Sequence, residues 1–462
     1  MSLTLFGPGG VRAVVNRDLT PEVALDLGRA VGRTLGGTVA LATDARDSAR
    51  MVRSAMVAGM MAVGADVVDL GMIPTPALQF YVREHPGISG GVMVTASHNP
   101  PEYNGMKLIL GDGTEATTED EAELGTSYAM EARDADWDRV GRIRTEEGAI
   151  SDYIDAIVSK VDVEAIRSAG LTVCVDCACG AASFSTPLLL KRLGVSTVTI
   201  GCDPVASPHR DSDPTEENLT TLMGLVESTK ADMGIAHDGD GGRAVFIDGT
   251  GRFLNGSVSG AIVARSILAE GKGKVVTPIS SSKVLEDVVT EAGGLVKYTE
   301  VLSHQVVRKM QENLAVFGVE EHGGMVFPQM QMCRDGGMAL AKMLEIVAKN
   351  GPLADMVSQL PSYSTRKVKV PCPDGLKVPV MDRLHRDVEA AGSRMDVTDG
   401  IKIILNDGWA LIRASTTEPC IRVYSESMDA GTADRILSEY SRMVKDLVRG
   451  LTDASRAQPE PR

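Results

Sequence analysis

Aromatic residues are scarce in this chain of 462 residues, with Phe, Trp and Tyr together making up 4%. Positive charge is short as well: 62 acidic residues outnumber 47 Lys and Arg, for a net charge of −15. A surface of that sign repels phosphate backbones, and no Lys/Arg stripe interleaved with aromatics offsets it, which excludes nucleic acid as a partner. No apolar stretch reaches the length of a bilayer, and the start MSLTLFGPGG lacks a basic region followed by an apolar run. The expectation is a cytoplasmic protein without membrane contacts. Seven cysteines in such a length do not form a disulfide framework. CVDCAC at 174–179 holds one C-x-x-C and no second pair to complete a zinc site. Its cysteines read as structural, Cys174 in a strand and Cys177 in the loop after it.

Several catalytic templates are missing too. There is no Walker A and no H-E-x-x-H, and GPGG near the start lacks the dinucleotide-binding spacing. GISGG at 87–91 matches G-x-S-x-G, but its apolar run follows the serine, whereas a nucleophile elbow needs the strand first. Heptads and apolar surface stripes are absent, so the oligomeric state is not legible.

The chain is too long for one core. Thr20 can cap a helix over 21–35, Pro21 suits its first turn, and Val23, Leu27, Val31 and Leu35 recur every four residues. VALAT at 39–43 reads as a strand. A helix, a glycine and a short apolar strand then recur at VGADVVDLG (63–71), LGVSTVTIG (193–201) and AGGLVKYTEV (292–301). This alternation predicts an α/β protein with three similar domains of mixed sheets covered by helices, over 1–150, 151–252 and 253–364. After PSYSTRKVKVPCPDG the pattern becomes α+β, with strands at IKIILN, WALIRAS and IRVYSE and a terminal helix, predicting a smaller domain over 365–462 with a disordered tail SRAQPEPR. The acidic segment 111–138 reads as a solvated helical face without function.

Four segments carry chemistry. VTASHNPPEYNGMK at 94–107 fixes Ser97 after an apolar run; it is a cap or turn former, a nucleophile, or a hydroxyl that carries a phosphoryl group. His98 adjoins Ser97 too closely for a triad and shapes the loop. In ADMGIAHDGDGGRAVFID at 231–248, glycines let Asp238 and Asp240 face one point, as hard oxygen ligands for Mg²⁺ or as an Asp-Gly turn. FGVEEHGGMVFP at 317–328 offers carboxylates to vicinal sugar hydroxyls, or is a solvated loop. RASTTEPCIRVY at 413–424 combines Arg413, Ser415, Thr417 and Arg422, the composition of a phosphate clamp or of a strand end. An anionic substrate in so acidic a protein requires such a local cluster or a metal.

Together with LFGPGGVR at the start, TDARDS with Asp44 and Arg46, and CRDGG after EEHGG, these segments fall in one order over nearly the whole chain. In that order the sequence resembles the α-D-phosphohexomutase family. EEHGG...FP is similar to the archaeal phosphoglucosamine and phosphomanno/phosphoglucomutase branch. The resemblance implies that Ser97 carries a phosphoryl group at a Mg²⁺ centre with Asp238 and Asp240. It implies that a hexose 1,6-bisphosphate is both intermediate and primer, turning over between two half-reactions. Arg243 neutralises the transferring oxygens, Lys107 or His98 assists proton transfer, and Arg12 joins the site. Glu320, with His322 beside it, holds the sugar hydroxyls, and Arg413, Ser415, Thr417 and Arg422 hold the idle phosphate. The substrate is a hexose phosphate, glucosamine phosphate first, with mannose and glucose phosphates as alternatives.

The sequence departs from the family pattern at Gly242, where a third carboxylate is usual, and at Leu302, His322 and Thr416. A phosphoserine brings about −1.5 to −2 charges, so Mg²⁺ binding should survive on the phosphorylated form, with a water in the vacant position, and weaken on the free hydroxyl. Changes in functional loops leave two further alternatives, a non-catalytic sugar-phosphate-binding paralogue and a metal-dependent phosphatase.

Overall fold

The computed structural model describes residues 6–7, 9–130, 133–204, 208–415 and 418–456. Four sheets follow one another along the chain. The first has seven strands, in the order 6–7, 10–14, 103–110, 90–94, 38–43, 66–72, 143–145. The second runs 253–254, 244–248, 233–237, 172–176, 196–200, and the third 295–299, 274–278, 317–319, 325–327, 331–334. All three are mixed, so the expected α/β layering holds, although the first unit is larger than its two successors.

Local sequence explains the leading elements. Thr20 accepts from the Val23 amide and Pro21 opens the helix Pro21–Leu35, whose buried Ala24, Leu27 and Val31 face the sheet layer. Strand Thr38–Thr43 is buried on both faces, as expected for a strand paired in parallel on each side with 66–72 and 90–94.

The same device positions three loops. Strands 90–94, 233–237 and 317–319 each run parallel to one neighbour, then the chain loops and returns antiparallel as 103–110, 244–248 and 325–327. The loops therefore leave the carboxyl ends of strands, where open α/β sheets bind ligands.

PSYSTRKVKVPCPDG is not only a boundary, because Ser364–Pro371 is the first strand of the fourth sheet. That sheet is wholly antiparallel, in the order 364–371, 420–427, 409–414, 401–404, 395–396. Helices Asp374–Ala390 and Ala430–Arg456 cover one face through Val380, Leu384, Ile436 and Val444. The terminal helix reaches into the expected disordered tail, and residues 457–462 lie outside the described residues. The other face carries Trp409, Leu411 and Tyr424 against Ile279. By strand alternation Arg413 and Arg422 share that face, turned towards the third unit.

One apolar cluster runs without a break from Ala40 and Tyr81 through Val173 and Phe246 to Val275 and Leu344, so the first three units share a core. The fourth is joined to the third by the small cluster at Ile279 and by polar contacts: Lys402 to the Ile279 carbonyl (2.8 Å), the Lys283 amide to Glu426 (2.8 Å), and the Val301 amide to Asp399 (2.9 Å). Lys402 also lies over the rings of Trp409 and Tyr298. Among the described residues no helix is long and apolar enough to cross a membrane.

Candidate active site

Ser97 follows strand 90–94 with φ at +52°, in the left-handed region that costs a non-glycine residue about 1–2 kcal/mol. Its surroundings enforce that conformation. The Ser97 amide donates to Thr95 Oγ1 (2.7 Å), and the Arg46 guanidinium donates to the carbonyls of Ser97 (2.9 Å), Asn99 (2.7 Å), Pro100 (2.7 Å) and Tyr103 (2.9 Å) while pairing with Asp44. One side chain thus gathers the carbonyls of an irregular loop. Burial pushes the Asp44 carboxyl up to about 6, with Arg46 and Thr95 opposing the shift.

The pointed loop meets Asp238 and Asp240. Ser97 Oγ lies 3.2 Å from Asp238 Oδ2 and 3.1 Å from Asp240 Oδ1, across 141 and 143 residues of sequence. All three side chains are buried. Gly239 makes the approach possible, since a Cβ there would stand 2.5 Å from the Ser97 carbonyl oxygen. Asp240 accepts from Lys107 Nζ (2.7 Å) and Thr75 Oγ1 (2.7 Å); burial opposes its ionisation, but Lys107 and Thr75 hold it well below the usual carboxylate range. Asp238 is pushed up by burial and by the charge of Asp240, against the pull of Arg243. Arg243 reaches Asp238 (3.2 Å), Asp213 (3.0 Å) and the His98 ring. His98 Nδ1 lies 3.4 Å from Ser97 Oγ, and burial with Arg243 and Arg12 depresses its basicity strongly, so the ring is neutral.

Two carboxylates and a hydroxyl suit Mg²⁺ by donor type. Among the described residues no group of three His, Cys, Asp or Glu side chains forms a metal cluster, in keeping with Gly242 at the position of a third carboxylate. A Mg²⁺ ion held by Asp238 and Asp240 would find the Ser97 oxygen as a third donor beside them. The space there is open, since a Cβ on Gly242 would meet only Asp240 Oδ1, at 3.8 Å.

From Asp240 a line of alternating charges leads to the third unit. Lys107 pairs with Glu115 (3.5 Å), Glu115 with Arg334 (3.2 Å), and Arg334 with Glu320 (3.6 Å). Burial opposes the charge on Glu115, yet Lys107 and Arg334 bring its carboxyl down to about 2. Ser303 donates to its other oxygen (2.9 Å). Glu320 Oε1 is buried and has no hydrogen-bond partner among the described residues. Orphaned acceptors of this kind are open to a donor from a ligand or a water. His322 is more than half exposed and pairs with Glu321 (3.1 Å), which also pairs with Lys367 of the fourth unit (2.9 Å). Leu302 stands before helix 303–313 in ordinary extended backbone with φ at −145°, so nothing in its conformation calls for glycine.

Arg413 and Arg422 face each other directly on strands 409–414 and 420–427, and Lys369 continues the row on the next strand. Three aligned cations are unfavourable without an anion. Arg413 pairs with Asp399 (2.7 Å), while Glu418 takes Arg422 and Lys369 (both 2.7 Å), yet the buried Arg422 Nε has no partner among the described residues. Ser415 Oγ accepts from the Glu418 amide (3.2 Å). Thr416 and Thr417 lie outside the described residues. Arg12 donates to Asn99 Oδ1 (2.9 Å), beside the Ser97 loop.

The geometry thus gathers Ser97, His98, Lys107, Asp238, Asp240 and Arg243 in one cluster, with Arg12 at its margin. Glu320 is linked through two further residues, and Arg413, Ser415 and Arg422 form a separate group. Sequence reasoning missed Thr75, Asp213, Glu115 and Arg334. It also misjudged the acidic segment 111–138, because Glu115 is half-buried within the charge line and Glu121 accepts from the Gly9 (3.1 Å) and Gly10 (2.6 Å) amides. The apolar run of Met106, Leu108, Ile109 and Leu110 just before Glu115 was the available signal.

Family models for phosphoglucomutase/phosphomannomutase match in order: alpha/beta/alpha domain I at residues 3–134, domain II at 151–251, domain III at 255–363, and the C-terminal domain at 368–442. A phosphoglucomutase/phosphomannomutase of Thermococcus kodakarensis is 40% identical, covering 96% of this chain and 99% of its own length. A probable phosphoglucosamine mutase of Methanopyrus kandleri is 39% identical, covering 96% and 98%. The crystal structure of a phosphoglucomutase/phosphomannomutase family protein from Burkholderia thailandensis superimposes with a TM-score of 0.84 at 25% identity, covering 96% of this chain and 97% of that one.

Proposed function

This chain belongs to the phosphoglucomutase/phosphomannomutase family and is a phosphohexomutase, and from that premise we propose that it interconverts glucosamine 6-phosphate and glucosamine 1-phosphate with Ser97 as phosphoryl carrier. The observation that carries the reading is Ser97 Oγ lying within 3.2 Å of both Asp238 and Asp240 in a buried cluster.

In the first half-reaction a sugar hydroxyl attacks the phosphoryl group on Ser97. The bond from phosphorus to Oγ breaks as the bond to the sugar oxygen forms, and the product is a hexose 1,6-bisphosphate. The intermediate turns around and returns its other phosphoryl group to Oγ, which leaves the isomer. Positioning and neutralisation of the transferring oxygens dominate such chemistry. Arg243 supplies a fixed cation beside Asp238, and Lys107, paired with Asp240 and Glu115, is the group we assign to proton traffic with the sugar oxygen. His98, kept neutral, orients Arg243. Asp238, Asp240 and the Ser97 oxygen are the groups that would hold Mg²⁺, which when bound neutralises charge on the transferring phosphoryl.

Arg413, Ser415, Thr417 and Arg422 hold the phosphate that is not reacting, with the vacant Arg422 Nε as a ready donor. Glu320 receives the sugar, and its partnerless Oε1 suits an ammonium or hydroxyl donor at the 2-position. The likeness to the Methanopyrus protein supports the amino sugar; His322 stands beside that position.

Mg²⁺-loaded protein given glucosamine 6-phosphate and a catalytic amount of hexose 1,6-bisphosphate should produce glucosamine 1-phosphate, and its intact mass should show one phosphate on Ser97. Release of inorganic phosphate without isomer would identify a phosphatase instead. Faster turnover of mannose or glucose phosphate would overturn the amino-sugar assignment.

A further inference from the structure

None of the seven cysteines is in a disulfide, but two of them touch. Cys177 Sγ and Cys202 Sγ are 3.2 Å apart, each just past the carboxyl end of one of two adjacent parallel strands, 172–176 and 196–200. The register of that pair sets Asp176 beside Ile200, so the two chains leave the sheet side by side. Cys177 is fully buried and Cys202 is partly exposed.

The residues around this pair also suspend the metal loop. The Ala181 amide donates to the Gly239 carbonyl (2.9 Å), and a Cβ on Gly180 would stand 2.6 Å from that same oxygen. The Gly180 amide donates back to the Cys177 carbonyl (2.7 Å). On the other side Asp176, next to Cys177, pairs with Arg210 (2.7 Å), which donates to the His237 carbonyl (2.8 Å) immediately before Asp238. These bonds connect Cys177 to the peptides that carry Asp238 and Asp240.

We propose that Cys177 and Cys202 are an oxidisable dithiol, closed to a disulfide by peroxide, and that closure slows the enzyme by displacing the metal loop. The accessible Cys202 sulfur attacks peroxide: an S–O bond forms, the O–O bond breaks, and one water departs. Cys177 sulfur then attacks Cys202 sulfur, the S–S bond forms, the S–O bond breaks, and the Cys177 proton leaves with the oxygen as a second water. Two thiols and one peroxide thus give one disulfide and two waters. The hydrogen bond shared by the sulfurs lowers the Cys202 thiol and, with burial, raises Cys177, which favours attack at the exposed sulfur. Closure requires the sulfurs to move from 3.2 Å to about 2.0 Å apart. Displacements of about 1 Å in catalytic geometry cost on the order of 100-fold in rate. The slowing rests on the mutase reading above, whereas the bond itself does not.

The reduced, Mg²⁺-loaded protein is treated with equimolar hydrogen peroxide, then examined by intact mass, by peptide mapping without reductant, and by the isomerase assay. The expected results are loss of two hydrogen masses, a peptide linking Cys177 to Cys202, a fall in kcat of about tenfold or more, and recovery with dithiothreitol. Cys202→Ser should keep the reduced rate and escape both changes; the wild-type mapping decides alone if that variant does not fold. A link through Cys179, sulfinic acid on a single cysteine, or a 177–202 link with an unchanged rate overturns the proposal. A protein that closes the link yet isomerises no hexose phosphate counts against the mutase reading and supports the dithiol.

Discussion

In the proposed reaction the Ser97 cluster and the Arg413/Arg422 row handle the same charged groups by opposite means. Around Ser97 the buried Lys107, Asp238, Asp240 and Arg243 each have a partner of opposite sign within 3.5 Å, in a region where the first and second units share one apolar core. The cationic row instead aligns like charges, leaves Arg422 Nε open, and rides on a unit joined to the rest chiefly by polar contacts. A bond-breaking centre gains from fixed dipoles in a dry setting. A holding site has to release its ligand within each turnover, and a binding group that is too well satisfied would have nothing to offer.

Ser97→Ala is the harshest test of that contrast. It should lower kcat by at least about 10⁴-fold and remove the phosphate from the intact mass, while a bisphosphate competitor still binds at the cationic row. Loss of that binding as well would erase the distinction between the two regions.

Arg46→Met should come next, because it strips the cation from buried Asp44 and from four loop carbonyls. Orphaning a buried partner costs about 3–5 kcal/mol, readable as a lower midpoint in denaturant titration. A variant as stable as the parent would mean that the loop is held elsewhere.

Arg422→Met should leave kcat nearly intact and raise KM about 10- to 100-fold, the worth of a hydrogen bond to a charged group. A fall in kcat with unchanged KM would move Arg422 into the reacting centre.

The mildest test concerns Gly242. Mg²⁺ should bind the phosphorylated protein more tightly than the dephosphorylated one, and Gly242→Asp, which the open space beside Asp240 admits, should narrow that gap by about tenfold through one added carboxylate. Equal affinities in the parent protein, measured by calorimetry, would refute the compensation.

Much of this was legible in sequence because the informative residues are local. Each site loop announces itself as a short apolar run ending in glycines and polar side chains, which singled out Ser97, Asp238 and Asp240, whereas Glu320 was picked from its acidic neighbours by the family resemblance alone. Arg334 was passed over because its partners, Glu115 and Glu320, lie 219 and 14 residues away, and ion pairing leaves no periodicity to read. Glu115 was hidden by its neighbours, since an acid among acids looks solvated until the fold turns it inward. The larger first sheet departed from the expectation of three similar domains for a similar reason. The pair 6–7 and 10–14 and the edge strand 143–145 are short and irregular in pattern, and only pairing to 103–110 and 66–72 makes them part of the first sheet.

The procession Asp240, Lys107, Glu115, Arg334, Glu320 makes the protein hard to re-tune piecemeal. Arg334 sits between Glu115 and Glu320, and Lys107 between Asp240 and Glu115, so neutralising Glu320 to welcome a different sugar would leave Arg334 with one carboxylate fewer, draw Glu115 towards it, and loosen the grip on Lys107 at the far end. Selectivity and proton chemistry would drift together, and breeding a new preference would call for paired substitutions that return the row to balance.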